Sequence, residues 1–306
     1  MDANVQRRII ITGGTGLIGQ ALSGLLAASG YDVVVLSRDP ASASDIPPGV
    51  RVAGWDARTS QGWIGLANGA LAIVNLAGAS LRRWWTAGNK RLIRESRLRV
   101  GRAVVDAVER ASTKPQVVIQ ASGTGAYGPR GDEIITEEAD FGDGFLGRTA
   151  KAWEASTAAV EEHGVRRAVI RSGVVLSTEG GAFPLLALPH RLFVGGPLGS
   201  GDQWLPWIHM EDEVRAIRFL IENEDAQGPF NLSAPNPVTN ARFSRALGRV
   251  MGRPSYLRVP GFLVRLVLGE MSTVVLDGQC AVPQRLLDQG FTFRFSELKP
   301  ALQDLL

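Results

Sequence analysis

The chain reads as an α/β protein: a doubly wound parallel sheet with a small, mostly helical C-terminal cap. Three observations predict this. An apolar run, a glycine-rich turn and a helical pattern follow one another near the N-terminus. Strand and helix patterns then alternate through about residue 176, as in a parallel sheet covered on both faces. Beyond that point the chain turns to glycine, proline and short helical segments. Its 306 residues, 45% of them hydrophobic, suffice for one large domain or two intimate ones.

The first element is the apolar run 9–11, a buried strand. Gly13, Gly14, Thr15, Gly16, Leu17, Ile18 and Gly19 follow, and a helical pattern runs over 17–28. Strand, glycine turn and helix start in that order gather backbone N–H groups and a positive helix end at one point. That point suits a pyrophosphate, so these seven residues are expected to hold a dinucleotide in a Rossmann fold. The plain alternative is a glycine-rich turn without a ligand; the flanking strand and helix favour the ligand.

Helix one ends near Gly30, and the second strand covers 32–36. It ends in Ser37, Arg38 and Asp39. A serine and a guanidinium there suit the 2′-phosphate of NADP(H) and favour it over NAD. Asp39 keeps NAD open, since an acid near this point holds ribose hydroxyls, and Arg38 can also be a solvated surface residue. The third strand, 50–55, ends at Asp56, which either accepts from the adenine amino group or caps a turn. The fourth, 71–77, brings Leu76, Ala77 and Gly78 to its tip, where small residues let backbone approach the cofactor.

Residues 82–102 hold eight basic side chains and one acid, Glu95, whereas the whole chain nets only +3. Such a run is commonly a solvated helix face. Trp84 and Trp85 beside it raise single-stranded nucleic acid as a reading, but the segment follows the fourth strand, next to the cofactor site. An anionic small-molecule substrate fits better, and no nucleic-acid partner is expected.

The fifth strand, 116–121, leads into Ser122 and then Tyr127-Gly128; a helix over 147–163 carries Lys151, Trp153 and Glu154. The sixth strand covers 168–176. A long loop, 180–201, and the stretch 204–210 precede a helix over 211–223 with an acidic start. A strand at 228–233 and helices near 239–251, 261–268 and 296–306 complete the chain.

Composition excludes several classes. Cys280 is the single cysteine, so no disulfide framework forms within the chain, which fits a reducing compartment. Residues 1–8 run straight into the first strand, leaving no room for a signal peptide, and no apolar stretch approaches eighteen residues. A cytoplasmic protein without membrane partners is the expectation. His163, His190 and His209 are far apart and show no metal-ligand spacing.

The turn over 12–19, with Asn75-Leu76-Ala77-Gly78 and Ser122 near Tyr127-Gly128, resembles the extended short-chain dehydrogenases/reductases. More narrowly, the stretches 195–212, 231–240 and 269–271 resemble the atypical branch described as nucleoside-diphosphate-sugar epimerases, some of whose members are named as cell-division inhibitors. The segment 283–306 is also typical of that branch, so the resemblance spans the chain. It implies a discontinuous layout: residues 1–176 and 208–235 form the NADP-binding Rossmann domain, and 177–207 and 236–306 a substrate cap. The loop 180–201 and the stretch 204–209 would line the cleft between them.

The resemblance also implies a catalytic trio: a serine, a tyrosine, and a lysine four places after it that lowers the tyrosine pKa and orients the nicotinamide ribose. Ser122 stands at the expected strand tip and Lys151 at the lysine place, where it would also bind cofactor. Gly147 stands where the tyrosine is expected, with Phe145 nearby, and neither carries a proton. Tyr127 is the candidate to replace it, although it can equally be a packing residue; Ser122 can equally be a strand-end cap. The expected function is an NADP(H)-dependent epimerase, dehydratase or reductase acting on a nucleotide sugar or other anionic carbinol or carbonyl compound. The alternative is an NADPH-binding regulatory module with little or no turnover. Substrate and oligomeric state stay open.

Overall fold

The computed structural model describes residues 7–41, 43 and 45–306; residues 1–6, which carry most of the expected lead-in to the first strand, lie outside it. Seven parallel strands form the central sheet: β1 (Arg8–Thr12), β2 (Asp32–Ser37), β3 (Arg51–Gly54), β4 (Ala72–Asn75), β5 (Val117–Gly123), β6 (Arg166–Ser172) and β7 (Gly228–Leu232). Their order is β7-β6-β5-β4-β1-β2-β3. The inner strands are β-branched runs buried on both faces; Ile9, Ile10, Ile11 and Val33 are fully buried. Helices on both sides dictate that composition. The order reverses between β1 and β4, which opens a crevice at their carboxyl ends.

The longer helices are α1 (Leu17–Ala28), α2 (Ala87–Arg110), α3 (Phe145–Ala155), α4 (Phe183–Arg191), α5 (Met210–Glu222), α6 (Asn240–Met251), α7 (Gly261–Leu268) and α8 (Leu298–Leu305). Leu22 and Leu26 of α1 share one core with Ile217 and Leu220 of α5. Val100, Val104 and Val108 of α2 fill the core on the opposite face. Among the described residues no helix is long and apolar enough to cross a membrane.

Besides short helices and two-residue strands not expected from the sequence, three of the expected elements take another form. The helix expected over 147–163 is α3 followed by a separate 3-10 turn, Ala158–His163, because the backbone leaves helical geometry at Thr157. The expected loop 180–201 contains α4, whose buried Phe183, Ala187 and His190 repeat at helical spacing. Its Pro184 falls in the first turn, where a missing N–H costs nothing. The strand expected over 168–176 breaks at Gly173. A Cβ there would sit 2.4 Å from the carbonyl oxygen of Pro206. After the break, Val174–Leu176 pairs with Trp207–His209 instead of continuing the main sheet.

The chain from residue 176 onward forms a separate core around Phe183, Trp207, Phe243, Leu247 and Leu302. Its C-terminal segment is tied back to the first part of the chain by pairing and by hydrogen bonds. Cys280–Ala281 pairs with Ile134–Ile135. The buried carboxylate of Glu137 accepts from the backbone N–H of Asn231 (3.0 Å) and, 148 residues on, of Arg285 (3.3 Å). Burial holds the Glu137 carboxyl above its ordinary pKa.

Candidate active site

The ends of β1 and β4 and the middle of β5 are locked together by side chains. The Thr12 hydroxyl donates to Asn75 Oδ1 at 2.7 Å, and Asn75 Nδ2 donates to Gln120 Oε1 at 2.8 Å. The chain then turns sharply. Gly13 has φ +72, and a Cβ on it would lie 2.8 Å from the Ala77 nitrogen. Only glycine meets both conditions. A Cβ on Gly19 would lie 2.4 Å from the Gly13 oxygen, so α1 packs directly on the turn. Gly16 starts α1 with no side-chain cap and no acid in the first turn. The first N–H groups of α1 are therefore left for a ligand, with the positive helix end behind them.

Three adjoining cavities, all touching Leu76, run from this turn. The largest, about 760 Å³, is lined by Gly13, Thr15, Gly16, Ala77 and Gly78 and by Ser37, Arg38 and Asp56. Arg83 and Arg99 of the basic run line it too. The second, about 370 Å³, meets Leu17, Ile18, Gly19 and Gly181. Gly14 lines none of these. Its Cβ would meet the Val35 side chain at 2.5 Å, so it serves the packing of the turn on β2. The Asp56 carboxylate accepts from the N–H groups of Thr59 (2.9 Å) and Arg58 (2.8 Å). Those bonds, that of Thr59 foremost, hold its pKa below the usual carboxylate value. Asp56 thus caps a turn at the cavity wall.

The third cavity, about 370 Å³, is the cleft under the cap. Ser122, Ser172, Arg97, Leu146, Ala150 and Trp153 line its sheet side, and Trp204, Asn240 and Asp277 its cap side. Burial raises the pKa of Asp277. The Ser122 hydroxyl donates to Glu154 Oε1 at 2.6 Å. Arg171 holds Glu154 with two bonds, Nε to Oε1 at 3.0 Å and Nη2 to Oε2 at 2.9 Å. Burial alone would lower the Arg171 pKa, but the Glu154 bonds and charge outweigh it and raise it. The hydrogen of Ser122 is engaged, so this hydroxyl presents lone pairs to the cleft.

Tyr127 and Lys151 are not brought to the cleft. The Tyr127 side chain is 1% exposed. Its hydroxyl donates to Asn231 Oδ1 at 2.6 Å and accepts from Arg171 Nη1 at 3.0 Å, in a buried network behind Ser122. Burial foremost raises its pKa. Lys151 is exposed on α3 and lines none of the three cavities. A Cβ on Gly147 would lie 1.9 Å from the Gly142 oxygen, so this position packs on the neighbouring loop. Four α3 residues face the cleft, in two pairs four apart: Leu146 with Ala150, and Thr149 with Trp153. The expected pair, Gly147 and Lys151, is one residue off Leu146 and Ala150, about 100° around the helix. None of the four cleft-facing residues is a tyrosine or a lysine, and Thr149 is the one among them with a hydroxyl.

Arg97 stands apart from the rest of the basic run. It is 8% exposed. Its Nη1 donates to the carbonyl oxygens of Ala79 (2.9 Å) and Ile93 (3.0 Å), and its guanidinium stacks 4.7 Å over the Trp153 ring. Among the described residues no carboxylate pairs with it, and burial lowers its pKa to about 10. Trp84 is exposed, whereas Trp85 packs edge-on against Phe145 at 4.9 Å.

Two other expectations are corrected. Trp204, Leu205 and Pro206 line the cleft, but Trp207 is fully buried in the cap core. His209 is buried as well; its Nδ1 accepts from the N–H of Glu211 at 3.2 Å, capping α5. Of the expected loop 180–201, only its start, Gly181 and Ala182, reaches the second cavity.

Known proteins resemble this chain along nearly its whole length. The model of the NAD-dependent epimerase/dehydratase family matches residues 9–171, and a domain of unknown function matches 259–305. An epimerase family protein of Staphylococcus haemolyticus is 40% identical over 98% of this chain and 99% of its own. One of Bacillus subtilis is 38% identical, covering 97% of each. The crystal structure of the human epimerase family protein SDR39U1 with NADPH is similar at a TM-score of 0.85 and 32% identity, over 97% of this chain and 98% of that one.

Proposed function

The chain belongs to the NAD-dependent epimerase/dehydratase family, and on that footing we propose that it is an NADP(H)-dependent oxidoreductase acting at a carbinol or carbonyl carbon of an anionic compound. The observation that carries the substrate reading is Arg97. A buried cation without a carboxylate is costly, and an anion entering the cleft would offset that cost. A nucleotide sugar is the form of anion we favour.

The residues present fit the cofactor. Gly13, Thr15, Gly16 and the start of α1 would hold its pyrophosphate, Ser37 and Arg38 its 2′-phosphate, and Leu76, Ala77 and Gly78 the ribose side. When bound, it would supply or accept a hydride at the cleft. NADPH in the human relative supports this choice. Residues 1–176 and 208–235 would be the cofactor-binding part, and 177–207 and 236–306 the substrate cap. The single cysteine suits a cytoplasmic location.

A second reading has its own support. With Leu146 and Ala150 in the cleft, a tyrosine–lysine proton carrier is missing, so an NADPH-binding regulator with little turnover stands as the alternative. One experiment separates the two. The purified protein is titrated with NADPH and NADH, then screened with sugar nucleotides and with anionic and neutral carbonyl compounds for a change in dihydronicotinamide absorbance. The enzyme reading expects NADPH binding and turnover on anions that Arg97→Met weakens. Binding without turnover favours the regulator, and no NADPH binding overturns both.

A further inference from the structure

Ser122 is engaged with Glu154, Tyr127 is buried, and Leu146 and Ala150 are apolar. One other serine opens on the cleft beside them. Ser172 ends β6, paired with Gly123 of β5, and lines the cleft wall. Its hydroxyl donates to Oε1 of Glu213, in the first turn of α5, at 2.6 Å. Glu213 is fully buried, and its Oε2 has no hydrogen-bond partner among the described residues. The neighbouring charges are committed elsewhere: Asp212 pairs with Arg215 and accepts from the N–H groups of Arg294 and Phe295. Burial is opposed only by the Ser172 bond, and it raises the Glu213 carboxyl to about 8. That bond suits a carboxylate; with a proton on Oε1 it turns round, the carboxyl donates to the serine oxygen, and the serine hydrogen is freed for the cleft.

We propose that Ser172 and Glu213 form a proton relay opening into the cleft, with Ser172 the catalytic hydroxyl and Glu213 the buried reservoir behind it. The inference rests on the oxidoreductase reading above. When a carbonyl carbon in the cleft gains a hydride from the reduced nicotinamide, its oxygen takes the Ser172 hydroxyl hydrogen. The O–H bond of Glu213 breaks, its proton passes to the Ser172 oxygen, and Glu213 is left as a carboxylate. After product leaves, one proton from bulk solvent, carried in by water, passes to the Ser172 oxygen as the Ser172 hydrogen passes to the Glu213 carboxylate, which restores both groups. In the oxidative direction each transfer runs backwards.

The test uses the free protein. Infrared spectra are recorded near about pH 6, between the ordinary glutamate value and the raised one. The protonated-carboxyl band lost in Glu213→Gln belongs to Glu213. Its shift is then followed after rapid mixing into D2O. Ser172→Thr keeps the hydroxyl and should exchange like wild type. Ser172→Val, of similar shape, should slow exchange by about tenfold or more, because a methyl group offers the proton no site. A purely structural serine would not separate these two variants. Equal exchange in Ser172→Val, or no such band at that pH, overturns the relay. Failure of the cofactor reading would show separately, as absent NADPH binding with exchange intact.

Discussion

Arg38 and Arg97 are both arginines near the cofactor groove, yet only one could be singled out from the sequence. Arg38 lies at a fixed place, the end of the strand after the glycine turn, so its candidacy for the 2′-phosphate follows from chain order. If it meets that phosphate, Arg38→Asp should reverse the NADPH preference; a charge-assisted bond of about 1.5–3 kcal/mol corresponds to roughly ten- to hundredfold in affinity. Parallel titrations of NADPH and NADH at one salt concentration check it, and an unchanged ratio removes Arg38 from the site. Arg97 was one of eight bases in a run, and charge alone did not distinguish it. Helical periodicity held the missing signal. Ile93, Val100 and Val104 form the buried stripe of α2, and Arg97 interrupts it at helical spacing. Glu213 had no comparable signal, since an acid in the first turn of a helix is ordinary. Only the packing around it shows that it is buried.

Helix α3 shows what chain order cannot fix. Its existence was legible in the sequence, but its facing was not, because a shift of one residue turns a side chain by about 100°. The close approach of Gly147 to Gly142 sets that facing, and it involves a loop whose path the sequence does not give. The consequence is testable. Gly147→Tyr restores a tyrosine four places before Lys151, yet its Cβ would lie 1.9 Å from the Gly142 oxygen. The expected result is a loss of roughly 1–3 kcal/mol in stability with no gain in turnover. Urea unfolding and the same substrate screen provide the check; a stable, more active variant would refute the facing described here. The seven-stranded sheet was far easier to read, because its buried runs and their alternation with helices are local signals. The break at Gly173 depends on Pro206, more than thirty residues later, and left no local mark.

For the whole molecule, Glu213 sets a pH dependence of stability. Its folded value of about 8 lies above the ordinary glutamate value of 4.5, so the folded chain keeps a proton that the unfolded chain releases. The stabilisation it gives is full below that lower value. It falls by up to about 1.4 kcal/mol per pH unit as pH rises, and levels off above the folded value. Glu213→Gln should remove this slope, so wild type loses stability relative to the variant between about pH 5 and 8. Urea midpoints at several pH values measure the difference. Parallel curves would mean that Glu213 ionises normally in the folded protein.

The pairing of Cys280–Ala281 with Ile134–Ile135, and the bond from the Arg285 N–H to Glu137, bear on the order in which the chain acquires its structure during synthesis. The first five strands emerge early, but β7 waits for residue 232, and the partners of Glu137 are complete only when Arg285 has appeared. Contacts this distant close slowly, because the entropy of a long loop is lost before the contact forms. Until then the nascent chain carries a glutamate in an apolar setting without its full set of donors. A chain stopped at residue 258 should therefore remain a compact state with secondary structure but weakened near-ultraviolet circular dichroism and poor NADPH retention. A truncated chain with native tertiary signal would show that the N-terminal part reaches its final structure without waiting for its end.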